Sequence, residues 1–227
     1  MNIIQIFTEY YQYFLRGTRT TILISLITVF CGAILGCLVA LMRISNCKPL
    51  QAFSKLYITV IRGTPMLVQL YIVYYQLSFI QYPSGTIWGV DMERAIPCVI
   101  ALSLNSAAYL SETLRGGIMA VDYGQREAAL ALGVSNPSVM LDIVMPQALK
   151  STLPGLVNEM INLLKNTSLV SCISLVDLLR AAQMIISKSY RAFEPLLTVA
   201  IIYYILVGIL AIISRRVERW VNISDRR

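Results

Sequence analysis

From Thr21 to Met42 the chain carries no charged residue. About 20 mainly apolar residues in a helix are enough to cross the hydrocarbon of a bilayer, and this run reaches that length unbroken. Three more apolar stretches follow. Gly63 to Val90 lacks charge but is punctuated by Pro65 and Pro83, which leaves Met66 to Ile80 as its apolar centre. Ala95 to Ser111 runs into Glu112 and Arg115, and Pro195 to Ser214 is clean. Composition agrees: apolar residues make up 57% and charged residues 14%, against roughly 45–50% and about 25% in soluble domains. So few charges exclude a disordered chain and argue against a soluble enzyme.

A fifth stretch, Pro154 to Val176, holds Glu159 and Lys165 in an otherwise apolar pattern. Ionisable groups within membranes usually face other protein or a cavity, so it counts as a span. The fold class is then all-α integral membrane, one domain over residues 1–227. Its five transmembrane helices are placed at about 19–42, 64–82, 95–114, 153–176 and 195–215. The first run exceeds the roughly 7–15 residues of a signal-peptide core and no small-residue cleavage site follows it, so it is expected to persist.

Lysine and arginine set the orientation. Arg43, Lys48, Lys55 and Arg62 lie between the first two spans with no acid among them. Arg215, Arg216, Arg219, Arg226 and Arg227 follow the fifth, whereas Arg94 is alone among acids between the second and third. The N-terminus is therefore placed outside and the C-terminus in the cytoplasm. The net charge of +7 is a topology signal, and no nucleic-acid partner is implied. Five scattered cysteines (Cys31, Cys37, Cys47, Cys98 and Cys172) and no histidine give no spacing suited to zinc, so no metal site is expected.

The connection from about 116 to 150 is longer than the two to eight residues usual between packed helices. Val121 to Leu132 reads as a short helix ended by Gly133. A second is expected to start at Asn136-Pro137, an N-cap followed by proline, and Pro146 to break or kink it. Here a resemblance emerges. Glu127-Ala128-Ala129-x3-Gly133-x9-Ile143-x-Met145-Pro146 resembles the EAA loop of bacterial ABC-importer permeases, with Met145 where leucine is usual. Arg62-Gly63-Thr64-Pro65, Tyr109-x-x-Glu112-x-x-Arg115-Gly116 and Lys165-Asn166-Thr167-Ser168-Leu169 resemble the branch that imports polar amino acids.

The resemblance covers nearly the whole chain. It implies the type I ABC importer permease fold in a bacterial cell membrane and a dimer with a second permease subunit, homo- or heterodimeric. It also implies two cytoplasmic ABC ATPase subunits, which bind the ATP, and an extracytoplasmic solute-binding protein that delivers the amino acid. The chain is then a transport subunit, not an enzyme, with no cofactor of its own. No glycine is followed directly by lysine, so a G-x-x-x-x-G-K-[ST] phosphate loop is excluded. Coupling to the ATPase is expected through Glu127, Ala128, Ala129, Gly133 and Pro146. The alanines keep one helix face slim, Glu127 offers a carboxylate, and Gly133 permits a left-handed turn.

Candidates for the substrate path cluster in span four. Asn158, Asn162 and Lys165, with Glu159 and Asn166, share one broad helical face. Asn105, Ser106 and Tyr109 add polar groups from span three. A zwitterion leaving water needs fixed partners for both its charges. Glu159 suits an ammonium or a cationic side chain, with Asn162, Thr167 or Ser168 as donors to the carboxylate. A cationic amino acid is therefore favoured over glutamine or cystine. The same asparagines can instead bond helix to helix, and Glu112 with Arg115 reads as a structural pair. The alternative function, an ion-coupled secondary amino acid carrier with Glu112 and Glu159 as relays, leaves the EAA loop unexplained.

Overall fold

The computed structural model describes residues 2–77, 79–80, 82 and 85–224, with side chains to Val221. Pro83, Arg226 and Arg227, used above for span boundaries or orientation, lie outside them. The chain is helical almost throughout: α1 (Ile3–Ile44), α2 (Lys48–Arg62), α3 (Met66–Gln76), α4 (Met92–Ala120), α5 (Tyr123–Ala131), α6 (Asn136–Ser138), α7 (Met145–Asn166), α8 (Leu178–Ser189) and α9 (Phe193–Ser224). A small antiparallel hairpin, β1 (Thr86–Ile87) with β2 (Val90–Asp91), precedes α4.

Three helices among the described residues are long and apolar enough to cross a membrane: α1, α4 and α9. The count rises to five if each of two bent pairs is one span. These pairs are α2 with α3, bent by 108°, and Asn136–Ile173 with α8, bent by 46°. Both bends fall in stretches that the sequence marks as broken or polar.

Small residues let α1 and α4 approach. A Cβ on Gly32 would lie 2.9 Å from the Ser106 Cβ, and one on Gly36 would lie 3.0 Å from the Leu110 Cβ. In lipid, where apolar contact alone gives little drive, such close backbone packing is a main source of helix association. The partners rise in number together, so α1 and α4 run in the same direction. Gly117 meets Ala148 and Thr152 while Gly155 meets Thr113, so α7 runs against α4. The largest buried cluster joins these helices to α3 through Ile24, Leu70, Leu102 and Leu163.

Two local expectations are corrected. The second short helix of the long connection is capped by Ser135, whose side chain accepts from the Ser138 amide, and Asn136 is already helical. Pro146 does not break it. A π-helical stretch, Val139–Val144, gives way to α7, with the Met145 amide bonded to the Met140 carbonyl. That wider turn comes where proline withdraws its own amide donor, and the helix continues to Ile173. The connection and span four thus share one continuous helix. The basic connection after α1 also proves helical: Lys48, Lys55 and Arg62 recur every seven residues along α2, with Pro49 in its first turn.

Candidate functional site

The polar face of α7 opens on a cavity of about 320 Å³. Glu159, Asn162, Lys165 and Asn166 form its wall from α7, Asn105 and Tyr109 its wall from α4, and Thr64 and Met66 close it from the α2–α3 break. Glu159 is half-buried, whereas Asn162 and Lys165 are exposed to the cavity. Asn162 and Ser106 face the Glu159 carboxylate; the buried Ser106 hydroxyl has no hydrogen-bond partner among the described residues. Glu159 and Lys165 form no ion pair there, as their six-residue separation requires, since this is about 9 Å along a helix. An anionic and a cationic group therefore line one small polar space without neutralising each other.

The α2–α3 break is tied in place by Gln69. Its amide nitrogen lies 2.7 Å from the Ile61 carbonyl, 2.7 Å from the Thr64 hydroxyl and 3.1 Å from the Thr64 carbonyl. Its amide oxygen accepts from the Asn105 amide at 2.8 Å. One buried glutamine thus satisfies backbone carbonyls exposed by the Gly63-Thr64-Pro65 turn and links that turn to α4. Reading the sequence for charges missed it, although a glutamine within the apolar run Met66 to Gln76 was the available signal. Nearby, the Arg62 guanidinium lies over the Tyr109 ring, 5.1 Å from its centroid. Arg115 pairs with Glu112 at 2.9 Å, the structural pair that their i, i+3 spacing suggests.

Of the residues singled out for the substrate path, Asn105, Tyr109, Glu159 and Asn162 come together here. Asn158 turns towards α9, where its amide oxygen lies 3.5 Å from the Ser214 hydroxyl. Thr167 is buried and donates to the Leu164 carbonyl at 2.7 Å. Ser168 lines a separate cavity of about 340 Å³ with Leu179, Val199 and Tyr203. Lys165 borders both spaces.

Of the candidate coupling residues, Glu127, Ala128 and Ala129 lie on α5 and Gly133 in the turn after it, whereas Pro146 stands in the first turn of α7. The Val134 amide bonds to the Ala129 carbonyl and the Gly133 amide to the Leu130 carbonyl, the paired arrangement that ends many helices at a left-handed residue. Gly133 has φ +83 with nothing within 4 Å of a would-be Cβ, so glycine is required here for its backbone, not for space. Glu127 and Ala128 face outward, whereas Ala129 is buried against Val139 and Val144. Gln147 donates to Gln125 at 2.7 Å, fastening α5 to the continuous helix that holds Glu159.

Known proteins resemble the chain in sequence and fold. The model of the family described as the binding-protein-dependent transport system inner membrane component matches residues 32–223. The chain belongs to this family. The arginine transport system permease protein ArtQ of Bacillus subtilis (strain 168) is 40% identical over 213 residues, 94% of each chain. The putative glutamine transport system permease protein GlnP of Rickettsia felis is 39% identical over 207 residues, 91% of this chain and 92% of that one. A crystal structure of an amino acid ABC transporter with histidines superposes with a TM-score of 0.86 at 37% identity, covering 96% of this chain and 98% of its own. This permease therefore has the type I ABC importer permease fold. It is an amino acid transport subunit of a bacterial inner membrane, not an enzyme. Family membership removes the ion-coupled carrier reading.

Proposed function

We propose that this permease carries a cationic amino acid through the cavity between α4 and α7, with the Glu159 carboxylate as the partner of a positive group on the solute. The observation that carries this reading is the unpaired juxtaposition of Glu159 and Lys165 across one polar space of about 320 Å³. A solute ammonium or guanidinium can engage Glu159 while its carboxylate engages Lys165, Asn162 or Asn166. Both solute charges are then met as water is stripped, which avoids the several kcal/mol or more that a stranded charge costs. The names of two relatives, one an arginine permease and one a transporter seen with histidines, favour a cation, and the glutamine name weighs the other way.

We infer the rest of the machine from the family. Two cytoplasmic ATPase subunits drive transport, α5 and the Gly133 turn dock on them, a second permease completes the path, and an outer solute-binding protein delivers substrate. Helix directions support five crossings. The common direction of α1 and α4 requires one return passage between them, which the bent α2–α3 pair supplies; α7 returns and α9 closes the count with the C-terminus opposite the N-terminus. The substrate reading is tested by ATP-dependent uptake into proteoliposomes containing permease and ATPase, with saturating solute-binding protein. Faster uptake of arginine or lysine than of glutamine supports it, and equal or faster uptake of glutamine refutes it.

A further inference from the structure

A second pair of cavities lies away from Glu159, where α1 and α4 meet the β1–β2 hairpin. The larger, about 250 Å³, is almost wholly apolar and lies between Leu23 and Ile27 of α1, Ile96 and Ile100 of α4, and Trp88 of the hairpin. The smaller, about 80 Å³, adjoins it at Val90 and is bordered by Arg16, Thr20, Asp91, Arg94 and Ser174. Because α1 and α4 run in parallel, the order is the same along both: arginine first, then the apolar slot. Arg16, Thr20, Leu23 and Ile27 follow the four-three-four spacing of one helix face. Arg16 to Ile27 covers about 16 Å of helix, close to half of a hydrocarbon core of about 30 Å.

The chemistry of the rim selects the occupant. The charge-free runs begin at Thr21 and Ala95, so both arginines stand at the membrane boundary. Arg94 is paired with Asp91, and Arg16 has no ionic partner among the described residues. Two guanidinium groups against one carboxylate leave a net positive rim. Trp88, 65% exposed, is held over the slot with φ +53, a conformation rare for so bulky a residue. Tryptophan is enriched at the membrane–water interface, and guanidinium groups are favoured partners of phosphate. A zwitterionic phospholipid carries the same phosphate but adds a cation to a rim that is already positive, and inorganic phosphate leaves the slot unfilled.

We infer that this is a binding site for an anionic phospholipid, with the phosphate between Arg16 and Arg94 and one acyl chain in the slot beneath Trp88. The lipid belongs to the outer leaflet if the topology proposed above holds; the test does not depend on the leaflet. Trp88 and Trp220 are the chain's two tryptophans. In a Trp220→Phe variant of the assembled transporter, Trp88 therefore reports occupancy through quenching by lipids brominated on the acyl chain. The Trp88→Phe, Trp220→Phe double variant supplies the background of the partner subunits. In phosphatidylcholine liposomes, brominated phosphatidylglycerol should half-saturate the quenching at a mole fraction at least fivefold below that of brominated phosphatidylcholine. Arg16→Gln and, separately, Arg94→Gln should bring that ratio below two, and millimolar glycerol phosphate should not relieve the quenching. Equal half-saturation by the two lipids overturns the proposal, as does a ratio that survives both substitutions. Relief by glycerol phosphate makes this a plain anion site, and absence of quenching shows that protein covers the slot; either outcome also overturns it.

Discussion

Replacing Gln69 with leucine keeps most of the side-chain volume and deletes the amide that joins the α2–α3 break to α4. The Asn105 amide then loses an acceptor at 2.8 Å; Asn105 borders the polar cavity, but at 6% exposure little of it is open to water that could take the vacancy. The Ile61 and Thr64 carbonyls lose their donor, but Thr64 is exposed and is rehydrated. One buried polar group left unmatched costs about 1–3 kcal/mol, and we expect Gln69→Leu to fall in that range. Side-chain pairs within membranes couple by about 0.6 kcal/mol on average and about 1.7 at most. A double-mutant cycle with Asn105→Ala should therefore show Gln69–Asn105 coupling between those values. The assay is equilibrium unfolding of the purified subunit in mixed lipid–detergent micelles. Additivity within about 0.3 kcal/mol, the usual result for independent sites, would refute the claim that this contact fixes the break.

At Gly133, valine must adopt the left-handed conformation at a cost of about 1–2 kcal/mol, whereas asparagine tolerates it. Gly133→Val should uncouple ATP hydrolysis from transport, or weaken ATPase assembly, with the membrane bundle intact, and Gly133→Asn should restore most coupling; the ratio of ATP hydrolysed to solute moved is the readout. Gly36→Val places a Cβ 3.0 Å from that of Leu110 and should cost about 1–3 kcal/mol through overpacking, seen as a lower midpoint in thermal unfolding. Single cysteines in a cysteine-free background at Asp91 and Asn136 should react and remain unreactive, respectively, with an impermeant reagent in intact cells. Labelling at 136 from outside would overturn the orientation.

Charge-free length made α1, α4 and α9 legible in the sequence as helices able to cross a membrane, and the motif spacing made the family legible before any coordinate. The bends were harder to read. Pro65 showed where α3 begins, but the 108° turn depends on Gln69 reaching back to carbonyls five to eight residues earlier, a tertiary contact that no local pattern encodes. Pro146 reads as a helix breaker by itself, and the π turn that lets the helix pass it depends on packing of Val139 and Val144 against Ala129. On α7, spacing grouped Asn158 with the residues facing the cavity. The broad helical face it defined is divided by α9, whose Ser214 takes Asn158 to the other side. Lys165 and Asn166 were grouped with Glu159 by spacing, but only the fold brings Thr64 of the α2–α3 break and Asn105 of α4 to the same cavity.

Glu159→Gln is the most direct test, because it preserves size and hydrogen bonding and removes only the charge. With the solute-binding protein unchanged, ATP-driven uptake of a cationic amino acid by the variant should fall tenfold or more, equivalent to losing about 1.4 kcal/mol of transition-state stabilisation. A smaller loss for a neutral amino acid identifies the side chain as the group Glu159 meets, and an equal loss identifies the α-ammonium. Unchanged uptake of both solutes would contradict the proposal and make Glu159 a structural residue of α7.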